Sequence, residues 1–540
     1  MVDEAAWSDR EEIHHACSRV AAEVLGSMSG ALNELHGVAK PTDYWELVLG
    51  FWTRNFVDLV SSRCEELQCA TGAVVSDLSE TGSIARAGRL MGSLNRQSQS
   101  VEWNHRLTAD IAALQKGESI KAHPAEQFLS VDLTAKRGVL RVLVEGAKSR
   151  SIRLASSRGV VIVSSYLPTN AEAVLALSLS SVPVRWPHEP YSTSQLDVVA
   201  RRRLASMLAG GSRNGLEGVV IGLLPWYLPM SVIEDFDVMR SRIATNGRCP
   251  KVIFTANLHC SSDSFAIWAA EQRLRGAVLA ISQHGGLNGQ GRLPTRGEEF
   301  EREVADLYLH WGWAEGDNAQ RIPAQIVAWA PPRRKQNVSG GVLLVTDATF
   351  RHNRRPWAGV EDLSLYLEML FTTYGSLPED VKSQTIVRLH KDHALYDDSH
   401  EVKWRARYPH CTLDSGFGPM APLVDNARLV VCTTLGTTEI EQFSRNVPTV
   451  LRLDRHIHAL RRGEEDLFER MENVGLVHYS AESLASFLRA QWNSLGDWWS
   501  DPAVVSVVQR YLARFGHQSS RPVRDIRAVL REASAQRRSR

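Results

Sequence analysis

Cysteine is rare in this chain, with seven in 540 residues, at positions 17, 64, 69, 249, 260, 411 and 432, and no C-x-x-C pair. An odd, scattered set excludes a disulfide framework and gives no zinc signature, so reduced and mostly buried thiols are expected. Long apolar runs are missing as well. The best, Gly218–Met230, is broken by Pro225 and Pro229 and falls short of a membrane span. Net charge is almost absent, +1 from 62 basic and 61 acidic residues, which removes any bulk attraction for nucleic acid. The opening stretch MVDEAAWSDREEIHH is acidic and polar, without the basic-then-apolar pattern of a secretory leader. The expectation is a cytoplasmic protein, at most peripherally associated with the inner membrane face. Only the base clusters Arg201–Arg203 and Arg537, Arg538, Arg540 could offer such a hold, and a solvated face explains them more simply.

What is present is an ordinary globular composition, 44% hydrophobic and 23% charged, over a length that needs more than one core. Residues 1–125 read as a helical N-terminal region. Ile13, Cys17, Val20, Ala21 and Val24 recur at helical spacing, and Tyr44–Val60 carries the stripe Trp45, Leu49, Trp52, Phe56, Val60. Between those apolar positions, Glu46 and Arg54 are candidates for the acceptor side of a cleft; packing of a core helix is the plainer account. From about residue 158 short apolar runs alternate with amphipathic stretches. Gly159–Tyr166, Leu216–Leu224, Val252–Leu258, Ala277–Ser282 and Asp306–Trp311 are candidate strands, with Ser264–Leu274 a helix between two of them. Ala328–Gly341 is rich in proline, glycine and bases and reads as a linker. The rhythm then restarts with strands at Val342–Thr346, Thr385–Leu389, Ala427–Cys432, Pro448–Leu453 and Gly475–Tyr479, and the chain closes on helices. This predicts an α/β protein of two Rossmann-like, doubly wound domains facing a cleft, at 126–330 and 331–480. The helical region 1–125 would precede them and helices at 481–540 would follow.

Chemistry belongs at the carboxyl ends of such strands. Ala277–Ser282 runs straight into Gln283, His284, Gly285 and Gly286, where paired glycines let backbone N–H groups approach a ligand. His284 can there act as base, acid or anion partner, or be a turn histidine bonded to backbone. Asp263, after the candidate strand Val252–Leu258, is a carboxylate able to orient an imidazole or to act as base or nucleophile. Arg388, His390, Lys391 and His393 crowd the end of one later strand, an arrangement suited to an anion or to a solvated loop. Thr433, Thr434, Gly436, Thr437, Thr438 and Glu439 pass from a strand into a helix. Hydroxyls and unpaired N–H groups at that mouth suit a phosphate, and Glu439 suits ribose hydroxyls; simple capping by Thr437 is the alternative. Asp347–Arg355 is a third basic candidate. The GK[ST] ending of a phosphate-cradling ATPase loop is absent, and no HxH or HExxH spacing supports a metal, so no metal and no cofactor are expected.

Five ordered segments are similar to those of a family of bacterial transferases associated with cell-surface polysaccharide and nonulosonic-acid loci. They are YWELVLGFW at 44–52, SFAIWAAE leading into ISQHGGLNG, and E-x-x-x-A-D-x-Y-L-x-W-G-W at Glu301–Trp313. LVVCTTLGTTEIEQFSRNVPTV at 429–450 and WNSLGDWW at 492–499 complete them. The similarity spans nearly the whole chain and is weakest at 65–155; Asn288 stands where family members usually carry an aromatic. More distantly, the QHG and threonine-rich elements resemble those of GT-B glycosyltransferases that use CMP-activated Kdo or sialic-type sugars, and of CDP-polyol phosphotransferases. The resemblance implies a GT-B fold and transfer of a sugar, a CMP-activated ulosonic acid, from a nucleotide donor to a glycan, lipid-linked or protein acceptor. The nucleotide-sugar is then substrate, not cofactor. It implies that Arg388, His390, Lys391, Thr433, Thr434, Thr437, Thr438 and Glu439 hold the donor. His284 and Asp263 would carry catalysis, without a metal, while Gln283, Gly285, Gly286, Glu46 and Arg54 shape the turn or the acceptor side. Rival readings are a nucleotide-sugar 2-epimerase, a CDP-polyol phosphotransferase and a glycan-binding module that has lost its chemistry.

Overall fold

The computed structural model describes residues 4–69, 85–120, 139–189, 195–209, 215–242, 247–327, 339–347, 363–395 and 400–535. The expected linker falls mostly on 328–338, most of the Asp347–Arg355 candidate on 348–355, and the basic tail on 536–540, all outside the described residues. Two compact units interleave along the chain. One comprises Met1–Glu11, Gln283–Thr295 and Leu309–Ile526; the other comprises Glu12–Ser282, Arg296–Tyr308 and Arg527–Arg540.

The α/β class read from the sequence is the class observed, built on two sheets with helices at the N-terminal end of the chain. The long helices Glu4–His36 and Thr42–Cys69 occupy the stretch whose apolar spacing is helical, and Trp45, Leu49, Trp52, Phe56 and Val60 are all buried. The first sheet has the order β1-β2-β3-β4-β5. Its strands are β1 (Val160–Ile162), β2 (Val252–Thr255), β3 (Val278–Ser282), β4 (Leu307–His310) and β5 (Ala319–Arg321). β1, β2 and β3 are parallel, with Val160 opposite Val252 and Val252 opposite Val278, and every residue in them is buried. Strands covered on both faces cannot alternate, which is why they read as continuous apolar runs.

The second sheet is wholly parallel. Its strands are β6 (Val342–Val345), β7 (Ile386–Arg388), β8 (Thr412–Asp414), β9 (Leu429–Cys432), β10 (Thr449–Arg452) and β11 (Val477–His478), in the order β11-β10-β9-β6-β7-β8. The first three strands are laid down in one direction and the next three in the other. That is the doubly wound order, with its reversal between β6 and β9. Tyr366, Leu370, Trp404, Val387, Val431 and Leu488 are among the side chains that fill its core.

Two expectations are corrected. The candidate strand Leu216–Leu224 lies inside the helix Gly215–Tyr227. Beyond Glu217 the run has no polar position, so no period separates the two states; in the helix Gly222 packs against Leu114, whose Cδ1 would stand 2.9 Å from a Cβ there. Arg201, read as part of a solvated or membrane-facing cluster, is fully buried. Its guanidinium pairs with Glu234 at 2.7 and 2.8 Å and donates to the Pro225 and Leu228 carbonyls, while Arg202 and Arg203 are exposed.

A second buried arginine ties three helices of its unit together. Arg296 donates two parallel bonds to Asp58, Nε to Oδ2 at 2.8 Å and Nη2 to Oδ1 at 2.7 Å, both residues being wholly buried. Its remaining nitrogen donates to Ser18 and Glu299, each at 2.6 Å. Burial is the largest influence on this guanidinium and would lower its pKa; the Asp58 and Glu299 carboxylates together outweigh it and the net shift is upward. Asp58→Asn therefore removes the fully buried counter-charge of this cation, leaving it only the half-buried Glu299, and should cost about 3 kcal/mol in urea unfolding. Arg296→Met added to that change should recover part of the loss, and simple additivity of the two would show that the pair is uncoupled.

Candidate functional site

The carboxyl end of β3 leads into a turn whose shape is set by one buried amide. Gln283 Oε1 accepts the Trp311 backbone N–H at 3.1 Å and the Trp313 indole N–H at 2.7 Å, and its Nε2 donates to the Gly285 carbonyl at 2.8 Å. Gln283 is thus a turn-former with no exposed surface, and His284, beside it, is half-buried. Gly289 has φ +83° and lies against the Trp313 ring, so glycine is required there on both counts.

Within the same compact unit this turn lies directly on the threonine-rich helix start. The Gly286 N–H donates to Thr437 Oγ1 at 3.1 Å, and a Cβ on Gly286 would stand 1.7 Å from the Gly436 carbonyl oxygen. Two backbones can come this close only without a side chain between them. The helix Thr437–Ser444 begins at the reversal of the second sheet, because it follows β9, whose neighbour is β6. Thr433, at the end of β9, is buried; its Oγ1 donates to the Val345 carbonyl at 2.9 Å and lies 2.6 Å from the Tyr366 hydroxyl. Thr434, Thr437 and Thr438 are half-buried at the helix mouth. Open α/β sheets bind ligands at the carboxyl ends of strands where the order reverses, and a helix N-terminus there presents N–H donors to an anion.

Beneath the mouth is a buried polar network. Glu439 Oε1 accepts the Gly436 N–H at 2.7 Å, the reciprocal half of a capping box, and is also met by the Tyr511 hydroxyl at 3.0 Å and Gln290 Nε2 at 3.3 Å. Gln290 Nε2 also donates to the Gly286 carbonyl at 2.7 Å, and Tyr511 stands 2.8 Å from Gln290 Oε1. The network therefore braces both the glycine turn and the helix start. Glu439 is completely buried, and burial pushes its pKa up to about 7 against the bonds that favour its ionised form. Its Oε2 has no hydrogen-bond partner among the described residues.

The remaining predicted site residues are placed as follows. Arg388, at the end of β7, pairs with Asp414 at 2.5 Å and donates to the Gly416 and Gly418 carbonyls at 3.1 and 2.6 Å. It is engaged by its own unit's 414–418 loop. His390 is half-buried and accepts the Asp392 N–H at Nδ1, Lys391 is exposed, and His393 is buried. Asp263, Glu46 and Arg54 belong to the other unit. Asp263 is buried in the first turn of the helix Asp263–Leu274 and accepts the Met91 N–H at 2.9 Å. Burial, and then the charge of Glu189, raise its pKa to about 7. Arg54 is ion-paired with Glu46 and Glu303 and lies 3.9 Å from Glu299, so the Glu46–Arg54 pair forms part of a wider acidic cluster. Gln290, Tyr366, Tyr511 and Asp414 have no counterpart in the sequence reading. Only Gln290, four residues after Gly286, had a positional hint; Tyr511 is 221 residues from its partner.

The fold and the site together describe an α/β protein with an anion-suited helix mouth at the reversal of a doubly wound sheet. The chain belongs to the LIC12162 family of transferases, whose pattern matches residues 2–530. No protein of curated function matches it by sequence. Among solved structures it is similar to the wall teichoic acid polymerase TagF, at 9% identity and TM-score 0.33, covering 75% of this chain and 99% of that one. MnaA of S. aureus, solved with UDP, matches at 11% identity and TM-score 0.36, covering 65% and 94%. MurG of Acinetobacter baumannii matches at 10% identity and TM-score 0.31, covering 69% and 99%. Among the described residues no helix is long and apolar enough to cross a membrane.

Two outcomes follow from this geometry. Gly286→Ala drives a methyl group into backbone on which no side chain can yield, and should cost about 1–3 kcal/mol in thermal or denaturant unfolding. Because Glu439 has a folded-state pKa above its ordinary value of 4.5, its contribution is fully present below about pH 4.5 and is lost as pH rises through about 7. Glu439→Gln keeps an acceptor for the Gly436 N–H and removes the titration. Its unfolding free energy relative to wild type should therefore climb between pH 5 and pH 8, by on the order of 3 kcal/mol at most, and a constant difference across that range would rule out the titration.

Proposed function

We propose that this transferase is a GT-B-type glycosyltransferase that moves a sugar from a nucleotide donor to a cell-surface glycan, lipid-linked or protein acceptor, the donor being a CMP-activated ulosonic acid. The observation that carries the reading is the bond from the Gly286 N–H to Thr437 Oγ1, which ties the His284 turn to the helix mouth at the sheet reversal. Thr434, Thr437, Thr438 and the first N–H groups of the helix take the donor phosphate, with the His390 imidazole and the exposed Lys391 ammonium at the end of β7 as further donors. His284, adjoining that phosphate site, hydrogen-bonds or protonates the departing phosphate as the bond to the sugar breaks. Thr433 and Glu439, both buried, position the loop and the helix start. Arg388 holds the 414–418 loop behind them. The engagement of Asp263 with the Met91 N–H favours a structural role for that carboxylate over a nucleophilic one.

A thermal-shift series with CMP, CDP, UDP and GDP tests the reading. CMP should raise the melting temperature most, since a ligand at 100 times its Kd stabilises the native state by about 2.7 kcal/mol. His284→Ala should keep that shift and slow release of CMP from a CMP-ulosonic acid by about 100-fold or more. A shift with UDP alone would overturn the donor assignment, and near-normal release by the variant would remove His284 from the chemistry.

A further inference from the structure

A second chemical cluster lies in the other unit, apart from the glycine turn and the threonine-rich helix mouth. β2 ends at Thr255 and the chain forms a single helical turn, Leu258–Ser261, that carries His259 and Cys260 side by side. Glu301 reaches the same place from the helix Arg296–Val304. One ligand atom from each residue, an imidazole nitrogen, a thiol sulfur and a carboxylate oxygen, lies within 4.8 Å of the other two.

His259 is the informative member. It is 2% exposed, yet neither ring nitrogen has a hydrogen-bond partner among the described residues. Its ring stacks on Phe300 at 5.9 Å, a contact that phenylalanine could make without burying two polar atoms. Buried histidines are ordinarily satisfied through at least one nitrogen. Nε2 stands 3.5 Å from Glu301 Oε1, long for a charge-assisted hydrogen bond. That separation is instead the edge of a coordination tetrahedron: ligands bonded to zinc at about 2.0–2.1 Å sit roughly 3.4 Å apart.

We propose that His259, Cys260 and Glu301 form a binding site for a borderline-soft divalent cation of the zinc type, with nitrogen, sulfur and oxygen ligands and a fourth position for water. The donor set fits that class. Calcium and magnesium take oxygen alone, whereas zinc accepts all three donor types. Binding displaces the thiol proton, forms a metal–sulfur bond and neutralises the thiolate and carboxylate together, so affinity should tighten as pH rises. The cation would clip the turn after β2 to the Arg296–Val304 helix inside one unit. It takes no part in the transfer proposed above, and its test is independent of activity.

Cobalt(II) is the probe, added to full-length protein that has been stripped with chelator and kept reduced. Wild type should bind one equivalent saturably, with a thiolate-to-cobalt charge-transfer band that zinc(II) displaces and an affinity that weakens at lower pH. Cys260→Ser, a conservative change at a half-buried position, should lose the band while circular dichroism and melting show a folded chain. Glu301→Gln should weaken binding by about tenfold or more. Absence of a saturable band in wild type, or a band of equal strength in Cys260→Ser, would overturn the assignment.

Discussion

The approach of Gly286 to the Gly436–Thr437 peptide is the constraint around which the first unit is arranged. Two backbones in contact leave no room for a Cβ, and a helix start used this way must satisfy its first N–H groups by other means. Glu439 supplies one answer by accepting the Gly436 N–H. That choice obliges a carboxylate to be buried, and Gln290 and Tyr511 surround it because a buried carboxylate without donors would be costlier still. The polar network is therefore a consequence of the glycine contact, and it explains why Tyr511, on the late helix Pro502–Phe515, is completely buried.

The position of that contact matters because of strand order. A parallel sheet that reverses between β6 and β9 opens a crevice at the carboxyl ends of those two strands, whatever side chains line it. Here hydroxyls and a helix N-terminus lie at that end, groups whose chemistry suits an anion, beside an imidazole-bearing turn. Arg388, a cation at a strand end, satisfies Asp414 and two carbonyls of its own unit, while His390 is half-buried and Lys391 is exposed.

Much of this was legible in the order of residues. The apolar stripe of the Thr42–Cys69 helix, the βαβ rhythm and the polar ends of β3, β7 and β9 all follow from local periodicity and from glycine and threonine placed after apolar runs. The run at 216–224 was not legible, because its stretch after Glu217 has no polar position to mark a period. Arg201 was not legible either, since burial of a cation depends on a glutamate 33 residues away.

Sequence alone determined the α/β class, the helical leading region and the presence of a glycine turn and a threonine-rich helix mouth, because each is written within a span of a dozen residues. Only the tertiary structure decided that the turn rests on the mouth, that Glu439 faces inward to Tyr511 and Gln290, and that His259 and Cys260 meet Glu301. Those are meetings of residues dozens to more than a hundred positions apart, and chain topology, not local spacing, selects which of them come together.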